Sequence, residues 1–79
     1  MTFGNRLTQR RIALALSQAE LSRRSGVAQA LISRMESGHI QEPGLSMIRR
    51  LATALGVTAD YLVGMYDDAH DHPRAPVAV

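Results

Sequence analysis

The feature that most constrains this chain is the run Leu16-Ser17-Gln18-Ala19-Glu20-Leu21, followed by Gly26. Ser17 with Glu20 three residues on reads as a capping box, in which each side chain accepts the other residue's backbone N–H. Leu16 and Leu21 flank the box as a hydrophobic staple and fix the angle at which the chain enters the helix. Gly26 takes the left-handed conformation at low cost and stops the helix at about Ser25. A helix this short is not stable alone in water, so it must be packed between neighbours.

The flanking sequence supplies those neighbours. Upstream, a helix is expected from about Asn5 to Ala15, with Leu7, Ile12 and Leu14 as its apolar positions and no internal Gly or Pro. Downstream, Leu31, Ile32 and Met35 fall at helical spacing and predict a helix from about Ala28 to Ser37, stopped at Gly38. A fourth helix follows Pro43-Gly44, with Leu45, Ile48, Ala52 and Leu55 as a buried stripe and Gly56 as its end. Thr58 caps a short fifth helix carrying Tyr61, Leu62 and Val63 and ending at Gly64. No strand pattern or internal repeat is present. The expectation is an all-α, five-helix domain over residues 1–64. Residues 65–79, with Asp71-His72-Pro73 and Ala75-Pro76, form a tail expected to be partly disordered or associated with a dimer.

Size makes such a domain marginal: about 60 residues bury only about 60% of the surface the unfolded chain exposes. With no cysteine to cross-link it, this chain must rely on packing or on a partner subunit. The same lack fits a reducing compartment. No apolar run approaches the roughly 20 residues that span a bilayer. Met1 to Arg11 lacks the apolar core of a signal peptide. A cytoplasmic protein with no membrane partner is expected.

Charge is unevenly placed. Residues 1–50 hold eight arginines against three acids, whereas residues 51–79 hold Arg74 against four aspartates. A basic front half suits a phosphate-binding surface, and equally a solvated mixed surface. Enzyme readings lack parts: there is no Cys nucleophile, no supported Ser/His/Asp grouping and no Gly-rich phosphate loop. His70 and His72 among Asp67, Asp68 and Asp71 read as solvated residues, so no metal, cofactor or catalytic site is expected.

Two short helices joined at Gly26, with Val27 and Leu21 inside the turn, place the second helix where it can enter a DNA major groove. Here the chain resembles the XRE family of helix-turn-helix proteins, those with a lambda-repressor/Cro-like DNA-binding domain. The resemblance rests on Leu16-Ser17-Gln18, Glu20-Leu21-Ser22, Ser25-Gly26-Val27, Ile32 to Gly38, Pro43, Leu51-Ala52, Ala54 to Val57 and Asp60-Tyr61-Leu62, in order and at family spacing. It spans about residues 6–64. It implies a lambda-repressor-like fold and binding to double-stranded DNA.

The resemblance also implies roles. Ala28, Gln29, Ala30 and Ser33 match base-facing positions of the recognition helix. A Gln29 amide can pair with the adenine N6 and N7 edge, a contact contributing about 1–3 kcal/mol of discrimination. Ala28 and Ala30 offer methyl contacts to thymine or serve as small spacers. Arg34 reaches a base edge or a phosphate. Gln18, His39 and Gln41 match backbone-contacting positions, and Arg11 pairs with Glu36 beside the DNA while presenting its guanidinium to phosphate. The chain departs from the pattern in three places. Ala28 replaces a capping Ser or Thr, at a typical cost of about 1 kcal/mol. Ser25 is expected to weaken the core slightly. Glu42 stands in a loop that in relatives is basic.

The implied function is a sequence-specific transcriptional regulator, a repressor binding a palindromic operator as a homodimer. Tyr61, Val63, Met65 and Tyr66 are candidates for self-association, or else they close the domain's own core. Two further readings stay open: an antitoxin whose tail wraps a toxin, and a regulator of a mobile element or restriction system. Effector sensing would require a partner protein or the tail.

Overall fold

The computed structural model describes residues 2–64. Five helices follow one another: α1 (Phe3–Ala13), α2 (Gln18–Ser25), α3 (Gln29–Glu36), α4 (Leu45–Leu55) and α5 (Ala59–Val63). Among the described residues there is no strand. Helix α2 packs against α3 and α4, α1 against α3 and α5, and α4 against α5, so the chain closes around one core.

The capping box forms as the sequence requires. Glu20 N–H donates to Ser17 Oγ at 3.0 Å and Ser17 N–H donates to Glu20 Oε1 at 2.9 Å. The staple residues Leu16 and Leu21 are both buried in the core. Gly26 lies at φ +77°, and its N–H closes α2 by donating to Ser22 O at 2.9 Å.

The core unites Leu7, Leu16, Leu21, Val27, Ile32, Met35, Leu51, Ala52, Leu55 and Leu62. Full burial of each large apolar side chain contributes roughly 1.5–3 kcal/mol, which must offset the ordering of the backbone.

Several expectations are corrected. Helix α1 begins earlier than expected, because Thr2 caps it by accepting from Asn5 N–H at 3.1 Å. Ile12 is 61% and Leu14 39% exposed. Ile12 lies five positions from buried Leu7, roughly 140° around the helix. Leu14 follows the last helical residue, where the chain turns away. In α4 the buried stripe is Ile48, Leu51, Ala52 and Leu55, while Leu45, at the first helical position, is 64% exposed. Ser25 strengthens the turn, because its Oγ accepts from Val27 N–H at 3.1 Å. Gly4 was unremarked in the sequence, yet a Cβ there would collide with the Met35 carbonyl oxygen and sit 3.2 Å from that of Glu36. That missing side chain lets α1 close on the end of α3.

Candidate nucleic-acid interface

Helix α3 has two faces. Ile32 and Met35 are fully buried and anchor it. Ala28, Gln29, Ala30, Ser33 and Arg34 are all exposed on its outer side. These are the five residues expected to read bases, and the fold leaves all five open to solvent. As expected from Ala28, the N-terminus of α3 has no side-chain cap.

A polar cluster fixes α3 to the body. Arg11 on α1 grips Glu36 on α3 bidentately, through Nε to Oε2 at 2.7 Å and Nη2 to Oε1 at 2.9 Å. Its Nη1 donates to Leu16 O at 2.8 Å, between α1 and α2. Gln18, at the start of α2, donates through Nε2 to Glu36 Oε1 at 3.0 Å. Three helices thus meet on one carboxylate. The Arg11 and Glu36 side chains are only 14% and 8% exposed. Burial pushes the Glu36 pKa up, but hydrogen bonds from Arg11, Gln18 and Thr8 outweigh it and leave the carboxyl below its ordinary range. The hydrogen bond to Glu36 raises the Arg11 pKa, so the pair is ionised. The Gln18 bond was not foreseen. Its signal was a long amide at the first position of a helix whose neighbour ends in a buried glutamate.

The loop after α3 is tied to the helix end. Arg34 O accepts from His39 N–H at 2.9 Å, from Ile40 N–H at 3.2 Å and from Ser37 Oγ at 3.1 Å. The His39 ring is held by its Nδ1 against Ser37 Oγ at 2.6 Å. Gln41 and Glu42 are exposed beyond it.

Not all of the basic front half faces solvent. Arg6 is buried, with its guanidinium 5.4 Å from the centre of the Tyr61 ring. Arg10 Nε donates to Leu55 O at 3.0 Å and so satisfies a carbonyl at the end of α4. With Arg11 these arginines hold the fold together, whereas Arg23, Arg24, Arg34, Arg49 and Arg50 are exposed. A net-charge argument cannot separate the two groups, because partners are set by tertiary contact.

Of the self-association candidates, Tyr61 is half-buried under Arg6 and Val63 is 42% exposed. Met65, Tyr66 and the acidic, histidine-bearing tail lie outside the described residues. Among the described residues no cluster of three or more His, Cys, Asp or Glu could hold a metal ion. No helix among them is long and apolar enough to cross a membrane.

A short helix exposed on one side and tied through Gln18 to the helix before it defines a class, the helix-turn-helix domain. The chain belongs to the helix-turn-helix family, whose model matches residues 7–62. It is similar to the P22 c2 repressor protein, solved with synthetic operator 9T in the presence of Tl+: 31% identity, 81% of this chain and 96% of that one, TM-score 0.75. SinR, a master regulator for biofilm formation solved in complex with DNA, matches at 26% identity over 77% of this chain and 97% of that one, TM-score 0.75. The SinR/SinI complex gives TM-score 0.78 at 24% identity, over 89% of this chain and 68% of that one, a likeness of fold alone.

Proposed function

We propose that this chain is a sequence-specific DNA-binding regulator of transcription, acting as a repressor. The observation that carries this reading is the exposed face of α3, with Gln29 and Arg34 outward and Glu36 clamped by Arg11 and Gln18. Family membership and the likeness to repressors solved with DNA support it.

In this reading α3 lies in the major groove. Ala28, Gln29, Ala30 and Ser33 meet base edges, and Arg34 meets a base edge or a phosphate. Gln18 keeps one amide proton beyond its bond to Glu36, and that proton meets the DNA backbone at the N-terminus of α2. His39 and Gln41 approach the backbone from the loop. Arg11 acts first as the strut that holds α3, with its remaining N–H groups turned to phosphate. Glu42 weakens the loop's attraction to phosphate, so strong binding calls for two copies on two half-sites about one helical turn apart. Tyr61 and Val63, followed by Met65 and Tyr66, supply the contact between copies. No enzymatic role and a cytoplasmic location belong to the same reading.

Binding-site selection on the parent and on Gln29→Ala tests it. The variant should bind with relaxed preference at one base pair in each half-site. An unchanged profile would remove Gln29 from base reading, and absence of any motif for the parent would remove the function itself.

A further inference from the structure

Hydrogen bonds at the end of α3 fix the protonation of an exposed ring. Arg34 O accepts the His39 N–H at 2.9 Å and the Ser37 hydroxyl at 3.1 Å. Gly38, at φ +90°, turns the chain so that His39 comes back over the helix end. Ser37 Oγ then lies 2.6 Å from His39 Nδ1. A serine hydroxyl has one proton and two lone pairs. The Ser37 proton is given to Arg34 O, so Oγ meets the ring as an acceptor and Nδ1 carries the proton between them.

The consequence falls on the other ring nitrogen. With a proton held on Nδ1, a neutral imidazole has only a lone pair at Nε2. His39 is exposed, and Nε2 is the nitrogen left for a ligand. A phosphate oxygen accepts and cannot donate, so that lone pair repels it. It is bound only once Nε2 takes a proton of its own. Protonation at Nε2 leaves the bond from Nδ1 to Ser37 as it is, so the loop need not rearrange.

We infer that Ser37 is a positioning residue that makes His39 a proton-coupled phosphate contact, in which Nε2 takes up one proton as the DNA backbone binds. This rests on the DNA-binding reading above and states the chemistry of one of its contacts. On α3, Glu36 is spent on Arg11 and Gln18, and Arg34 is an exposed cation. Glu42 is the charged residue among the described lining of the groove that this loop forms with α1, α4 and α5. Arg34 and Glu42 act in opposite directions on a nearby cation, which leaves the phosphate as the anion that holds the second proton. By linkage, proton uptake on binding and loss of affinity as pH rises are one coupling.

The test uses the full-length chain and the duplex recovered by binding-site selection. Affinity should fall about fivefold or more between about pH 6 and about pH 8.5, across the ordinary imidazole range. Calorimetry in buffers of different ionisation heat should show proton uptake on binding. His39→Gln keeps an N–H donor that does not titrate and should abolish both effects. Ser37→Ala frees the ring to turn a neutral N–H to phosphate and should flatten the profile, whereas Ser37→Thr keeps the hydroxyl and should retain it. In the free chain at the alkaline end, nitrogen-15 shifts should place the His39 ring proton on Nδ1. A ring proton on Nε2, a profile unchanged by Ser37→Ala, or one that persists in His39→Gln overturns this inference and leaves the DNA-binding reading intact. Failure to select any duplex overturns both.

Discussion

Glu36 shows how much one side chain carries. It accepts from Arg11 twice and from Gln18 once, and it joins α1, α2 and α3. Arg11→Ala leaves that carboxylate buried without its cation and should cost about 3 kcal/mol in chemical denaturation, with a loss of DNA affinity as well. A variant that melts like the parent would show that the pair is not a strut. The pH dependence follows from the lowered Glu36 pKa. The folded state holds that proton less tightly than the unfolded chain, whose glutamates titrate near about 4.3. The contribution is fully present above that value and is lost as pH falls through the folded pKa. Glu20 shifts in the same direction, through its hydrogen bond with the Ser17 backbone. Glu36→Gln should therefore flatten the acid limb of the stability curve, and an unchanged limb would contradict the assignment. Gly4 is the second residue of this kind. Gly4→Ala forces α1 off the Met35 carbonyl and should cost about 1–3 kcal/mol, read as a lower melting temperature.

At the level of elements, the helix ends decide what the sequence discloses. The boundaries of α2, α4 and α5 were legible, since Ser17, Thr58, Gly26, Gly56 and Gly64 act through local backbone chemistry. The pairing of Arg11 with Glu36 was legible only through family resemblance, because 25 residues separate the two. Arg10 on Leu55 O and the closeness of Gly4 to α3 were not legible, since each depends on which helix lies opposite. Ile12 and Leu14 count among the apolar positions of the first helix, and apolar character without the angle around the helix does not say that both face solvent. The uncapped start of α3 gives a prediction: Ala28→Ser should stabilise the domain by about 1 kcal/mol in thermal melting. Ala15, at φ +58°, gives another. Ala15→Gly relieves a left-handed alanine, and the gain of about 1 kcal/mol is partly offset by the entropy of glycine, so the melting temperature should rise slightly.

The whole molecule is a small core that presents one helix. Its described arginines divide between internal struts and an exposed set, and a single acid, Glu42, interrupts the loop beside α3. In the proposed reading, such a surface holds DNA by few backbone contacts and relies on base reading and on a second copy. The most direct measurement is selection from a random duplex library with the full-length chain at near-physiological salt, followed by sequencing of the bound DNA. The account predicts a palindrome whose half-sites lie about ten base pairs apart. Recovery of no motif, with binding that disappears as salt rises, would mean phosphate attraction alone and would contradict sequence-specific regulation.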